Sequence, residues 1–149
     1  MDQIEHPSVE IWEERRAWFE TEFDVEQRGG GYVVGEHATG LLIDLQAAFC
    51  AGAFVATIIL ACTIIDAHLR EVELDDRFEG GMKAAFKYSG RVSDLEWLRL
   101  RRNALVHFNL SKGPAVTVDG HYCSREVHER DARRAINLVA EVFFETPWV

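Results

Sequence analysis

Proline is scarce in this 149-residue chain, which has only Pro7, Pro114 and Pro147. None of them interrupts the long apolar segments, so nothing there breaks a helix. Cysteine is scarce and odd in number: Cys50, Cys62 and Cys123. Two of the three fall in apolar runs, where a thiol behaves as a small hydrophobe. No CxxC pair exists, and a reducing cytoplasm is the simplest setting. The N-terminus, MDQIEHPSVE, lacks the basic-then-apolar pattern of a secretory signal. Basic residues are also in deficit. The formal net charge is −9, which argues against a protein that simply coats nucleic acid.

The deficit is uneven. Residues 1–28 sum to −6, 29–90 to −4, 91–134 to +3 and 135–149 to −2. One basic region therefore sits on an acidic body, and such a region can hold an anion. Hydrophobic residues make up 48% of the chain, enough for a single domain spanning 1–149 to build a real core.

One long apolar run raises the question of a membrane. AAFCAGAFVATIILACTII, Ala47 to Ile65, is 19 residues without a charge. Much of it is Ala, Gly, Cys and Thr. Asp66, His68 and Arg70 follow on the same helix, and neither an aromatic belt nor a basic flank is present. The centre of a helical bundle requires such an all-round apolar helix, and we expect no membrane span.

Apolar residues at helical spacing predict helices over about 8–27, 37–50, 52–73, 81–89, 94–109 and 125–145. Ser8 is a fair N-cap for the first, and Ser93 or Asp94 for the fifth. Ala51-Gly52 either joins two helices or lies within one. Residues 111–124 change character. AVTV, then Asp119-Gly120, then HYCS is a β-hairpin pattern, near 115–123. The expected fold is all-α: an antiparallel bundle of five to six helices with one small hairpin.

The basic region contains RRNALVHF, residues 101–108. Arg102 and His107 form an R-x4-H motif, with Asn103 directly after the arginine. On an α-helix Arg102 and His107 differ by about 140° around the axis and about 7.5 Å along it. Asn103 and His107, four apart, share one stripe. An imidazole exchanges protons near pH 7, a guanidinium holds phosphate through forked donors, and an amide orients either. These groups supply what metal-free RNA cleavage needs. A base takes the 2′-hydroxyl proton, a cation stabilises the phosphorane charge, and an acid protonates the departing oxygen. One histidine does not easily perform both proton transfers, whereas two copies across a symmetry axis would. The bland alternative is an arginine and a histidine on the solvent edge of a core helix.

The fifth helix, with R-N-A-L-V-H, resembles the HEPN family. The resemblance extends back through LLIDLQAAFCAGAFVATIILACTIIDAHLRE and covers about residues 38–145, with the 8–27 helix as an addition. It implies that Arg102 is the family arginine, Asn103 the polar residue after it and His107 the family histidine. Arg101 also satisfies the spacing, but Asn103 after Arg102 favours the latter. The resemblance further implies a homodimer whose two motifs face each other and which cleaves RNA without metal or other cofactor. It allows an antitoxin or nucleotidyltransferase partner, as in toxin–antitoxin pairs. It equally allows a non-catalytic scaffold that binds a protein or nucleotide. Asp66 stands where relatives often carry Glu. Asp66 either pairs with Arg70, four residues on, or reaches Arg102 and holds it for phosphate. His121, Cys123 and His128 have irregular spacing and no fourth partner, so no metal site is expected. Trp12 and Trp18 are expected in core or dimer contacts rather than in base stacking.

Overall fold

The computed structural model describes residues 5–108, 111, 116–123 and 125–145. Helix α1, Val9–Glu22, starts where Ser8 accepts a hydrogen bond from the Ile11 amide at 3.2 Å. The expected single helix over 8–27 is divided. Asp24 accepts from the amides of Glu26 and Gln27 and so starts a separate turn, α2, Val25–Arg28. A short polar side chain that bonds the backbone locally competes with helix continuation.

Helices α3, Glu36–Cys50, and α4, Phe54–His68, are two elements and not one. Gly52 between them has φ +80°, a conformation that L side chains rarely adopt. Next come α5, Met82–Tyr88, and α6, Val92–Val106. The last two are α7, Val118–Cys123, and α8, Arg125–Glu145. Among the described residues no helix is long and apolar enough to cross a membrane.

Helix α4 is the hub and packs against α3, α6 and α8. This explains why the most apolar run lies here: Phe54, Ile58, Ala61, Cys62, Ile64 and Ile65 are buried around the helix. Helix α8 faces it with Ala132, Ala135, Ile136, Val139, Val142 and Phe143, a stripe at three-and-four spacing. Trp18 stacks on Phe49 with ring centroids 5.2 Å apart, which puts it in the core.

Two sequence expectations fail here. The hairpin near 115–123 is absent, because Val118–Cys123 is helical. Thr117 explains the change. Its hydroxyl accepts from the Gly120 amide at 2.9 Å and its carbonyl from the His121 amide at 2.9 Å. The turn dipeptide is therefore taken up in a capped helical turn. Ala115 and Ser124, the outer ends of the expected strands, lie outside the described residues. Helix α6 also starts at Val92, with Arg91 at the cap position and no side-chain cap, so Ser93 and Asp94 lie in its first turn. It ends at Val106 rather than 109.

Helix α4 runs into a single π-helical turn, Leu69–Glu73. This turn presents Glu71 to the start of α3, whose cap residue Gly35 offers no side-chain acceptor. The Glu71 carboxylate accepts from the His37 amide at 3.1 Å and the Ala38 amide at 3.3 Å. A side chain on Gly35 would collide with that carboxylate. Glu71 is thus a cap supplied from another helix, and its charge suits the positive helix end. Glu71→Ala is expected to cost about 1–2 kcal/mol, measured by urea unfolding; a cost near zero would rule out the capping role.

His68, the last residue of α4 before that turn, is fully buried against Phe143, with ring centroids 4.8 Å apart. Neither ring nitrogen has a hydrogen-bond partner among the described residues, and Glu73 Oε1 lies 4.0 Å from Nε2. Burial pushes the imidazole below its ordinary pKa, and the carboxylates of Glu73 and Glu71 oppose this only in part. The unfolded chain therefore takes up this proton first. Stability falls as pH drops below the unfolded value of about 6.5, and this loss stops below the folded value. His68→Phe is expected to flatten the acid limb of the stability profile. Urea unfolding at pH 7 and pH 5 checks this, and parallel profiles for parent and variant would refute it.

Candidate active site

Leu95, Leu98 and Arg102 lie three and four residues apart and share one stripe of α6. The leucines are fully buried. Arg102, at the end of the stripe, is carried inward with them, and its Nε is buried without a hydrogen-bond partner among the described residues. Its Nη1 donates to Asn103 Oδ1 at 3.1 Å. Among the described residues Arg102 forms no ion pair.

The neighbouring arginines differ. Arg99 donates to the Glu96 carboxylate at 2.7 and 3.0 Å. Arg101 points to α8, where Nε donates to Asp131 Oδ2 at 2.8 Å and Nη2 lies 3.2 Å from His128 Nδ1. Arg101 and Asp131 are both largely buried. Burial first, and the Arg101 charge second, lower the His128 pKa, so the ring is neutral and accepts from the guanidinium. Arg101 is therefore a tie between α6 and α8, and Arg102 is the guanidinium left without a carboxylate.

His107 lies one residue beyond the end of α6. Its backbone is extended (φ −111°, ψ 122°), yet its amide still donates to the Asn103 carbonyl at 2.9 Å. Asn103 thus touches both of the others: its side chain holds Arg102 and its backbone holds His107. The residue His107 is exposed, and among the described residues no side-chain hydrogen bond ties its ring to Arg102 or Asn103. Leu100, Val106 and Phe108 are exposed apolar neighbours on the same segment, Phe108 at 85%.

Asp66 approaches from α4. Its Oδ2 accepts from Arg70 Nε at 2.9 Å, the local pair that the four-residue spacing allows. Its Oδ1 is buried without a hydrogen-bond partner among the described residues. Asp66 and Arg102 both act on Cys62, one turn before Asp66 on α4. Burial pushes the Cys62 thiol up to about 12, with Arg102 opposing and Asp66 adding to the rise. Cys62 thus stays protonated and is no nucleophile near neutral pH. Its place beside the motif was legible from its four-residue spacing to Asp66. The Arg101–Asp131 tie was not, because thirty residues separate its ends.

His121, Cys123 and His128 do not assemble a metal site: among the described residues no three His, Cys, Asp or Glu side chains cluster to hold an ion. Arg102 carries forked cationic donors of the kind that suit a phosphate oxygen, held by Asn103, and His107 places an exposed imidazole five residues on. Comparison with protein-family models, with curated proteins and with solved structures finds no match for this chain.

Proposed function

We propose that the protein is a metal-independent endoribonuclease of the HEPN type, acting as a homodimer. The observation that carries this reading is Arg102. It is a guanidinium drawn inward on a core stripe, held by Asn103 and left without a carboxylate, while Arg99 and Arg101 beside it are both neutralised. A charge placed so is suited to stabilise a second charge that arrives with a substrate.

In this reading His107 of one protomer removes the proton from a ribose 2′-hydroxyl. The oxygen attacks the adjacent phosphorus, and the phosphorus–5′-oxygen bond breaks. His107 of the second protomer protonates the leaving oxygen. Arg102 holds the non-bridging phosphate oxygens throughout, and Asn103 fixes Arg102. The products are a 2′,3′-cyclic phosphate and a 5′-hydroxyl, with no water consumed. Incubation of the pure protein with single-stranded and loop RNAs in EDTA tests this. Products with those ends, and specific activity that falls on dilution of the dimer, are expected. Intact RNA would overturn the proposal.

A second reading is favoured by the net charge of −9 and by exposed Leu100, Val106 and Phe108 beside the motif. It is a non-catalytic HEPN scaffold whose apolar segment seats a partner protein. It predicts a stable assembly, no cleavage, and an effect of Arg102 and His107 substitutions on assembly alone.

A further inference from the structure

The turn between α3 and α4 gathers positive charge on an acidic chain. Arg15 of α1 donates to the Cys50 carbonyl at 3.2 Å, and Arg125 at the start of α8 donates to the Gly52 carbonyl. Both guanidiniums lie over the Phe54 ring, each 5.1 Å from its centroid. They close so tightly on Gly52 that a Cβ there would meet Arg15 Nη1 and Arg125 Nη2 at 3.1 Å each. Arg133 stacks nearby on Phe49 at 5.1 Å. One carboxylate, Glu129, faces this group, 3.9 Å from Arg15 and 3.2 Å from Arg133. Among the described residues Arg125 has no ion pair. Three guanidiniums against one carboxylate leave a local excess of two positive charges. Burial is the main cause that lowers the Arg15 pKa; Glu129 opposes it, and Arg125 and Arg133 each add a smaller repulsion.

A cavity of about 420 Å³ opens beside this cluster, within the size range of small-molecule sites. Ala53, Val55, Ala56 and Ile59 supply an apolar wall, and Arg125 and His121 are its polar members. We propose that this cavity binds a small organic anion with a short apolar tail, the tail on the α4 wall and the head on Arg125 beside Arg15. An anion there relieves the repulsion between the guanidiniums, and the apolar wall selects against a bare inorganic ion. The site is separate from Arg102, Asn103 and His107, none of which lines this cavity.

Calorimetric titration of the full chain with sodium hexanoate tests the proposal, with hexan-1-ol and inorganic phosphate as the other probes. Saturable binding of hexanoate is expected, with a Kd on the order of 1 mM. The alcohol and phosphate are expected to bind about tenfold more weakly or worse. Arg125→Gln, which removes the head-group contact, and Ala56→Phe, which fills the cavity from an exposed position, should each weaken hexanoate by about tenfold or more. Far-UV circular dichroism establishes that each variant is folded. Ala56→Phe leaves both arginines intact, so the test survives misfolding of Arg125→Gln. Absence of saturable hexanoate binding, equal binding of hexan-1-ol or phosphate, or unchanged affinity in either folded variant would overturn the proposal.

Discussion

His107→Ala is expected to slow RNA cleavage by about 10²–10⁴-fold while leaving the fold intact. The fold survives because His107 lies past the end of α6, is exposed, and contributes its backbone amide rather than its ring to the helix terminus. Alanine keeps that amide. In the proposed mechanism the rate falls because both proton transfers rest on this imidazole, one from each protomer. Arg102→Gln is expected to reduce kcat by about 10²–10³-fold, the scale for removing one group that stabilises transition-state charge. Lysine at 102 should restore only part of the loss, because a point charge lacks the guanidinium's fork. Single-turnover cleavage of a labelled RNA in EDTA measures all three variants. If His107→Ala cuts as fast as the parent, the histidine has no chemical role and the proposed mechanism fails.

Arg101→Ala is expected to unfold the protein more readily, by about 3 kcal/mol, with little bearing on chemistry in whatever remains folded. The Asp131 carboxylate is nine-tenths buried, and Arg101 is its close cation at 2.8 Å. Removal of the guanidinium leaves a buried charge whose remaining neighbour is exposed Arg130, at 3.7 Å. His128 loses the cation that lowers its pKa after burial, so its ring should titrate at a higher pH. For a chain of this size the stability loss amounts to a fall in Tm of about 10 °C. Replacing both partners, as in Arg101→Met with Asp131→Leu, should recover most of it, since an apolar pair of similar volume often matches a buried ion pair. Thermal melts and NMR titration of His128 read the two effects. A melting point within about 2 °C of the parent for Arg101→Ala would show that the α6–α8 tie carries no weight.

The contrast between Arg101 and Arg102 separates the two functional readings. In the nuclease, Arg102 variants lose rate and keep stability, and Arg101 variants lose stability. In the scaffold, Arg101 variants again lose stability, whereas Arg102 variants act through assembly, and sedimentation rather than product formation reports the latter.

The sequence alone determined the longer helices, though not all their ends, and most of their inward faces. A helix is set by neighbours three and four residues apart, so Leu95 with Leu98, or Ala135 with Val139, declare their burial locally. It also put Arg102, Asn103 and His107 within six residues, but it carried His107 on the helix stripe of Asn103, whereas α6 ends at Val106 and His107 is extended. The tertiary structure decided what distant partners impose. Asp131, thirty residues away, neutralises Arg101, while its neighbour Arg102 forms no ion pair among the described residues. Glu71 crosses from another helix to cap α3 at Gly35. Asp119-Gly120 suits a hairpin or a capped helical turn equally well by composition, and Thr117 tips it to the helix. The two guanidiniums over Phe54 come from opposite ends of the chain, fifteen and 125 residues in, and only packing around α4 brings them together. Local spacing fixes what one helix presents; which charge is satisfied depends on chain closure, which no local window contains.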